Sequence, residues 1–146
     1  MRRWIRVALT ALTATIGLTA VAGGAALLVG SFAQGASGAI VPDRSFLGGT
    51  PFASYAAPGL LLAIVVGGTH IVAAVLVGRR SAAAPAAVAV AGFGLLIWIF
   101  VQMMFIPFSL LQALYFAAGL AELGLIMLAL GLVAQARTVA RATGGR

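Results

Sequence analysis

Asp43 and Glu122 are the only carboxylates in the chain, and His70 is its single imidazole. Glu122 lies inside a long apolar helical stretch, where an ionised acid costs about 2.5–3.5 kcal/mol at a bilayer centre. Such a group must face other helices and either pair or hold its proton. One chemistry this permits is proton or cation handling by an intramembrane carboxyl. The other is a neutral acid hydrogen-bonded to a neighbouring helix for assembly. His70 is its expected partner, because both residues lie at the same depth counted from the same end of their spans. An imidazole against a carboxyl can relay protons or satisfy both groups. Gln102, Gln112 and Tyr115 form a secondary polar set near one end of the last two spans.

Other chemistries are excluded by what is missing. Without cysteine there is no disulfide, thiolate ligand or thiol nucleophile. One histidine and two acids cannot build a metal site of three or four ligands. No nucleophile–base constellation is present either, so the expectation is a protein without catalysis, metal or cofactor. The methionine pair Met103–Met104 points to different sides of a helix and makes no soft-metal site.

The elements that position these residues follow from composition. The 146 residues are 63% apolar and 8% charged, with mean hydropathy +1.18. A water-soluble domain averages about 25% charged residues, which this chain does not approach. The solvent expected for it is a lipid bilayer, crossed by helices of about 20 apolar residues each. Four such runs are legible: 7–32, 57–78, 85–106 and 110–136. Arg79 and Arg80 close the second, Pro85 opens the third and Pro107 ends it. Ser109 and Gln112 match a capping box at the start of the fourth. The fold class is therefore an all-α membrane protein, a four-transmembrane-helix bundle in one domain. The longer loop, residues 33–56, joins the first two helices. In it, Thr50 before Pro51 reads as a helix N-cap, with a short interfacial helix through Phe52 and Tyr55 and a bend at Pro58. Asp43–Arg44 reads as a turn with a local ion pair. The first apolar run is about twice the length of a signal-peptide core, which favours a retained helix over a cleaved leader.

All nine basic residues are arginines, and the net charge is +7. They flank the apolar runs and form no patch on a soluble fold, so the expected partner is anionic lipid and not nucleic acid. With both termini cytoplasmic, Arg2, Arg3, Arg6, Arg79, Arg80, Arg137, Arg141 and Arg146 fall on one side and only Arg44 on the other. The positive-inside rule selects that orientation.

Helix faces are set by small residues, which let backbones approach in lipid. The second span presents Gly59, Ala63, Gly67, His70, Ala74 and Gly78 on one face, and the first Thr10, Thr13, Gly17, Ala20 and Gly24. Gln112, Tyr115, Gly119, Glu122 and Ile126 share a face of the fourth. Trp98 and Gln102 lie one turn apart on the bulkier third. Self-association or a membrane-protein partner is the expected use of the remaining surface.

Two stretches, Pro51-Phe-x-x-Tyr55-x-x-Pro58-Gly-Leu-Leu-Leu and Gln112-x-x-Tyr115-x-x-x-Gly119-x-x-Glu122, resemble a group of small four-helix bacterial inner-membrane proteins. The likeness implies that location and architecture, and no activity. In length the chain is also similar to small multidrug-resistance transporters, whose essential glutamate is on the first helix. Here the first helix has no acid, and residues 33–56 exceed their loops. The topology predicts that an externally added labelling reagent reaches residues 33–56 and spares the C-terminal tail. The reverse pattern would overturn it.

Overall fold

A computed structural model describes residues 1–32 and 43–132, apart from the side chain of residue 44. Those residues are helical or turn, with no strand among them. Four helices are long and apolar enough to span a membrane: α1 (Arg3–Phe32), α2 (Ala56–Gly78), α3 (Ala84–Phe105) and α4 (Leu110–Ala129). Each neighbours two others, α1 and α3 both packing on α2 and on α4. Two diagonals result, α1 to α3 and α2 to α4. One end of the bundle carries Arg3, Arg6, Arg79 and Arg80 and is called the arginine end below. The other carries residues 43–55 and the α3–α4 turn, and is called the loop end.

Turn chemistry fixes the boundaries. Ile106 precedes Pro107 and is extended (φ −120°, ψ 136°), as the proline ring demands of its predecessor. Ser109 then caps α4 in a complete capping box, its hydroxyl accepting from Gln112 N–H while the Gln112 side chain accepts from Ser109 N–H. At the end of α2, Ser81 N–H donates to Leu76 O and Arg80 N–H to Val77 O, the pattern of a Schellman cap. Glycine usually holds the left-handed position of this motif. Here Arg80 does, at φ 57°, at a cost of about 1–2 kcal/mol. Helix α4 ends at Ala129, short of the expected 136, with Gly131 at φ 73° just beyond. Residues 133–136 lie outside the described residues, as do 33–42 of the long loop.

The expected interfacial helix through Phe52 and Tyr55 does not form. Thr50 Oγ1 donates to Leu47 O and accepts from Phe52 N–H, closing a turn where a helix N-cap was expected. The helical turn of this loop is instead a 3-10 segment at Arg44–Leu47, capped by the Asp43 carboxylate accepting from Ser45 N–H. Pro58 lies in the first turn of α2. There its missing N–H would have had no intrahelical partner. An irregularity comes later, in a π-helical segment at Leu62–Gly68.

That segment solves a register problem between α1 and α2. Gly17 faces Gly67, and Gly24 faces Gly59, each so close that an added Cβ would strike the partner's backbone or side chains. A Cβ on Gly59 would lie 2.7 Å from Gly24 O, and one on Gly67 2.6 Å from a Val21 methyl. The interval is seven residues on α1 but eight on α2. The wide π turn takes up the extra residue and lets both contacts close. Beyond it the buried face runs through His70, Ala73 and Val77 and leaves Gly78 exposed. The expected face through Ala74 and Gly78 is thereby corrected.

The bundle is apolar outside. Leu18, Val29, Ile64, Val90, Ile97 and Phe100 are each more than 60% exposed, whereas Thr13, His70 and Glu122 are wholly buried. One apolar cluster fills the arginine end around Leu9, Val77, Val88 and Ile126, and a second the loop end around Ile16, Val66, Leu95 and Ile99.

Gly24→Ala should lower the unfolding temperature, since the new Cβ would meet Ala63 Cβ at 2.7 Å, an overpacking cost of about 1–3 kcal/mol. Gly94→Ala and Gly124→Ala, with nothing within 4 Å of the added Cβ, should be neutral or stabilising. Equal losses in thermal melts of all three variants would refute the packing.

Candidate functional site: a buried imidazole–carboxyl pair

Between the two apolar clusters lies one polar layer. Thr13 sits between Leu9 and Ile16, His70 between Val66 and Ala73, and Glu122 between Gly119 and Ile126, all facing inward. His70 Nε2 lies 3.2 Å from Glu122 Oε2, with both side chains fully buried. This contact joins α2 to α4, a pair on a diagonal of the bundle. Two long polar side chains reach across where the backbones do not.

Two local features hold the pair in place. His70 Nδ1 lies 2.7 Å from Val66 O, a carbonyl of the π segment. The hydroxyl of Thr69 donates to Val65 O at 2.6 Å and to Val66 O at 3.1 Å. Side chains thus serve the carbonyls where the π turn rejoins the α-helix, and in doing so fix the imidazole. On the opposite side, Gly92 of α3 faces the acid, an added Cβ lying at ordinary contact distance, 3.5 Å, from Glu122 Oε2 and closer, at 3.1 Å, to Leu123. Thr13 Oγ1 donates to Leu9 O at 2.7 Å, committing its proton within α1.

The protonation pattern follows from these partners. Val66 O only accepts, so Nδ1 carries a hydrogen and donates it. The Nε2–Oε2 contact then needs one hydrogen between the two atoms. Either the acid O–H donates to a neutral ring, or an imidazolium N–H donates to a carboxylate; both arrangements have zero net charge. Glu122 Oε1 is buried without a hydrogen-bond partner among the described residues. Chemically the site can hold one proton, or pass it between nitrogen and oxygen along the 3.2 Å contact.

The secondary residues gather at the loop end. Gln102, Gln112 and Tyr115 line a cavity of about 130 Å³ together with Trp98, Thr19 and Val66. The Tyr115 hydroxyl donates to Thr19 Oγ1 at 2.6 Å, tying α4 to α1. Gln112 is occupied by its capping box. Trp98 packs into the bundle, with Nε1 buried and unpartnered among the described residues. A second cavity of about 200 Å³ lies under the loop, walled by Phe46, Phe52 and Tyr55 against Trp98 and Gln102. Tyr55 is buried and donates to Asp43 O at 2.8 Å. The expected Asp43–Arg44 ion pair lies outside the described residues, and the Asp43 carboxylate serves Ser45 instead. Those hydrogen bonds hold its pKa below the usual value.

Sequence reading did not find Val66, Thr69 or Gly92. Gly92 gave no signal, being one of several small residues in the first half of its helix. Comparison of the chain with protein-family models, curated proteins and solved structures found no match.

Burial, and then the nearby Asp43 carboxylate, push the Tyr55 pKa above 10.0. Its hydrogen bond to Asp43 should therefore be intact below the ordinary tyrosine pKa and lost as pH rises through the raised one. In a Tyr115→Phe variant, absorbance titration of the remaining tyrosine should show its midpoint above 10.0. A midpoint at or below that value would refute the buried contact.

Proposed function

We propose that the chain is a multi-pass protein of the bacterial cytoplasmic membrane, a structural or accessory component without catalysis, in which His70 and Glu122 clasp the helices together. Its N- and C-terminal segments lie in the cytoplasm and residues 33–56 outside, by the distribution of arginines. The observation that carries the reading is the inverted distribution of polarity. Large side chains on all four helices are exposed, and among the described residues the buried imidazole and carboxyl meet each other with no exposure. Both ring nitrogens of His70 are engaged, which leaves neither free for a substrate. The exposed apolar faces are suited to lipid, and beyond it to a second copy or another membrane protein.

A second reading, a small proton-coupled transporter using Glu122 with His70, draws on one observation. The shared hydrogen and the unpartnered Oε1 sit one turn from a loop-end cavity that reaches Val66, whose carbonyl holds His70.

The two readings part on stability and transport. Under the first, His70→Ala and Glu122→Ala each destabilise the bundle by about 1–3 kcal/mol through the polar group left behind. The double variant should then lose less than the sum, by about 0.6–1.7 kcal/mol. Glu122→Gln, whose amide can still donate to Nε2, should stay near wild type. Additive losses in unfolding from mild detergent would remove the clasp. Proton uptake by vesicles carrying the wild-type protein, abolished by Glu122→Gln, would replace the first reading with the second.

A further inference from the structure

At the arginine end a cavity of about 360 Å³ opens among all four helices, lined by Arg6 of α1, Val77 of α2, Arg80 and Ser81 of the turn, and Ile126 and Leu130 at the end of α4. Its volume is in the range of ligand sites. Two helix N-termini and two C-termini meet here, so their dipoles largely cancel and the guanidinium groups set the sign of the field. Among the described residues no side-chain carboxylate answers them: Asp43 is at the other end of the bundle, and Glu122 is engaged with His70. Arg80 moreover occupies the left-handed position at φ 57° that glycine would take without strain. An uncompensated pair of guanidiniums beside an apolar wall matches an amphipath with an anionic head. A free phosphate would use the arginines and leave Val77, Ile126 and Leu130 idle.

We infer that this cavity is a specific site for the phosphate of an anionic phospholipid, with Arg6 and Arg80 on the phosphate and the apolar wall against the glycerol and upper acyl chain. The inference rests on the membrane reading above and names the lipid class that this end of the bundle selects.

The test is native mass spectrometry of the full chain, purified in mild detergent from nanodiscs containing equal parts phosphatidylglycerol and phosphatidylcholine. The wild type should retain one phosphatidylglycerol. Retention should fall about tenfold or more in the Arg6→Gln/Arg80→Asn variant, in which asparagine tolerates the positive φ. It should persist in Arg2→Gln/Arg3→Gln, which removes the same charge away from the cavity. A circular dichroism melt of each variant separates lost folding from lost binding. Undiminished retention in the first variant, or an equal fall in the second, would overturn the site. Inorganic phosphate at millimolar concentration should not displace the lipid; if it does, and binds alone in neutral detergent, the site belongs to a soluble anion and the proposal fails. Failure of the chain to stay with membranes after alkaline carbonate extraction would instead sink the membrane reading.

Discussion

A carboxyl group enclosed by four apolar helices has to find a hydrogen-bond partner inside the protein, and the geometry of this bundle is organised around that need. Glu122 and His70 meet across a diagonal where the backbones of α2 and α4 are too far apart to touch. Their contact is steadied by Val66 O, which holds the far ring nitrogen. Once Nδ1 donates to that carbonyl, a single hydrogen remains to be shared by Nε2 and Oε2. The centre of the molecule is electrically neutral wherever that hydrogen rests. The pair can therefore persist between two apolar clusters.

Around this centre, close approach replaces bulk. In water a helix bundle turns leucines inward; here many of the large side chains face out and glycines meet at the α1–α2 seam. Between α3 and α4 the same principle takes another form, with Leu123 lying over Gly92 and Leu96 over Gly119. Dispersion and short interhelical hydrogen bonds, such as that from Tyr115 to Thr19, hold the helices of a bundle whose outside is as apolar as its core.

Much of this was legible in the residues because long apolar helices have blunt punctuation. Pro107, Ser109 and Gln112 specify a stop and a capped start within a few positions, and Arg79–Arg80 mark the end of α2. The proximity of His70 and Glu122 was readable from depth and face, since both sit on small-residue stripes. The loop was harder. Thr50–Pro51 carries a helix-start signal, but its hydroxyl closes a local turn, a competition that spacing cannot decide. The π segment left no trace either. A seven-residue stretch from Leu62 to Gly68 has the same apolar pattern whether its turns are ordinary or wide, and only the mismatch of glycine intervals on two helices betrays it.

That wide turn makes α2 two rods with separate angular phase. In an unbroken α-helix each residue advances the azimuth by about 100°, so the direction of Gly59 dictates that of everything downstream. Here the phase is reset between Gly59 and Gly67, ahead of the imidazole. The half that carries Gly59 can drift in sequence without swinging His70 out of the centre. A chain lacking one of the outward-facing residues Ile64 or Val65 would recover an even helical repeat with both halves still correctly aimed, so this stretch is where the lineage could gain or shed a residue at little structural cost.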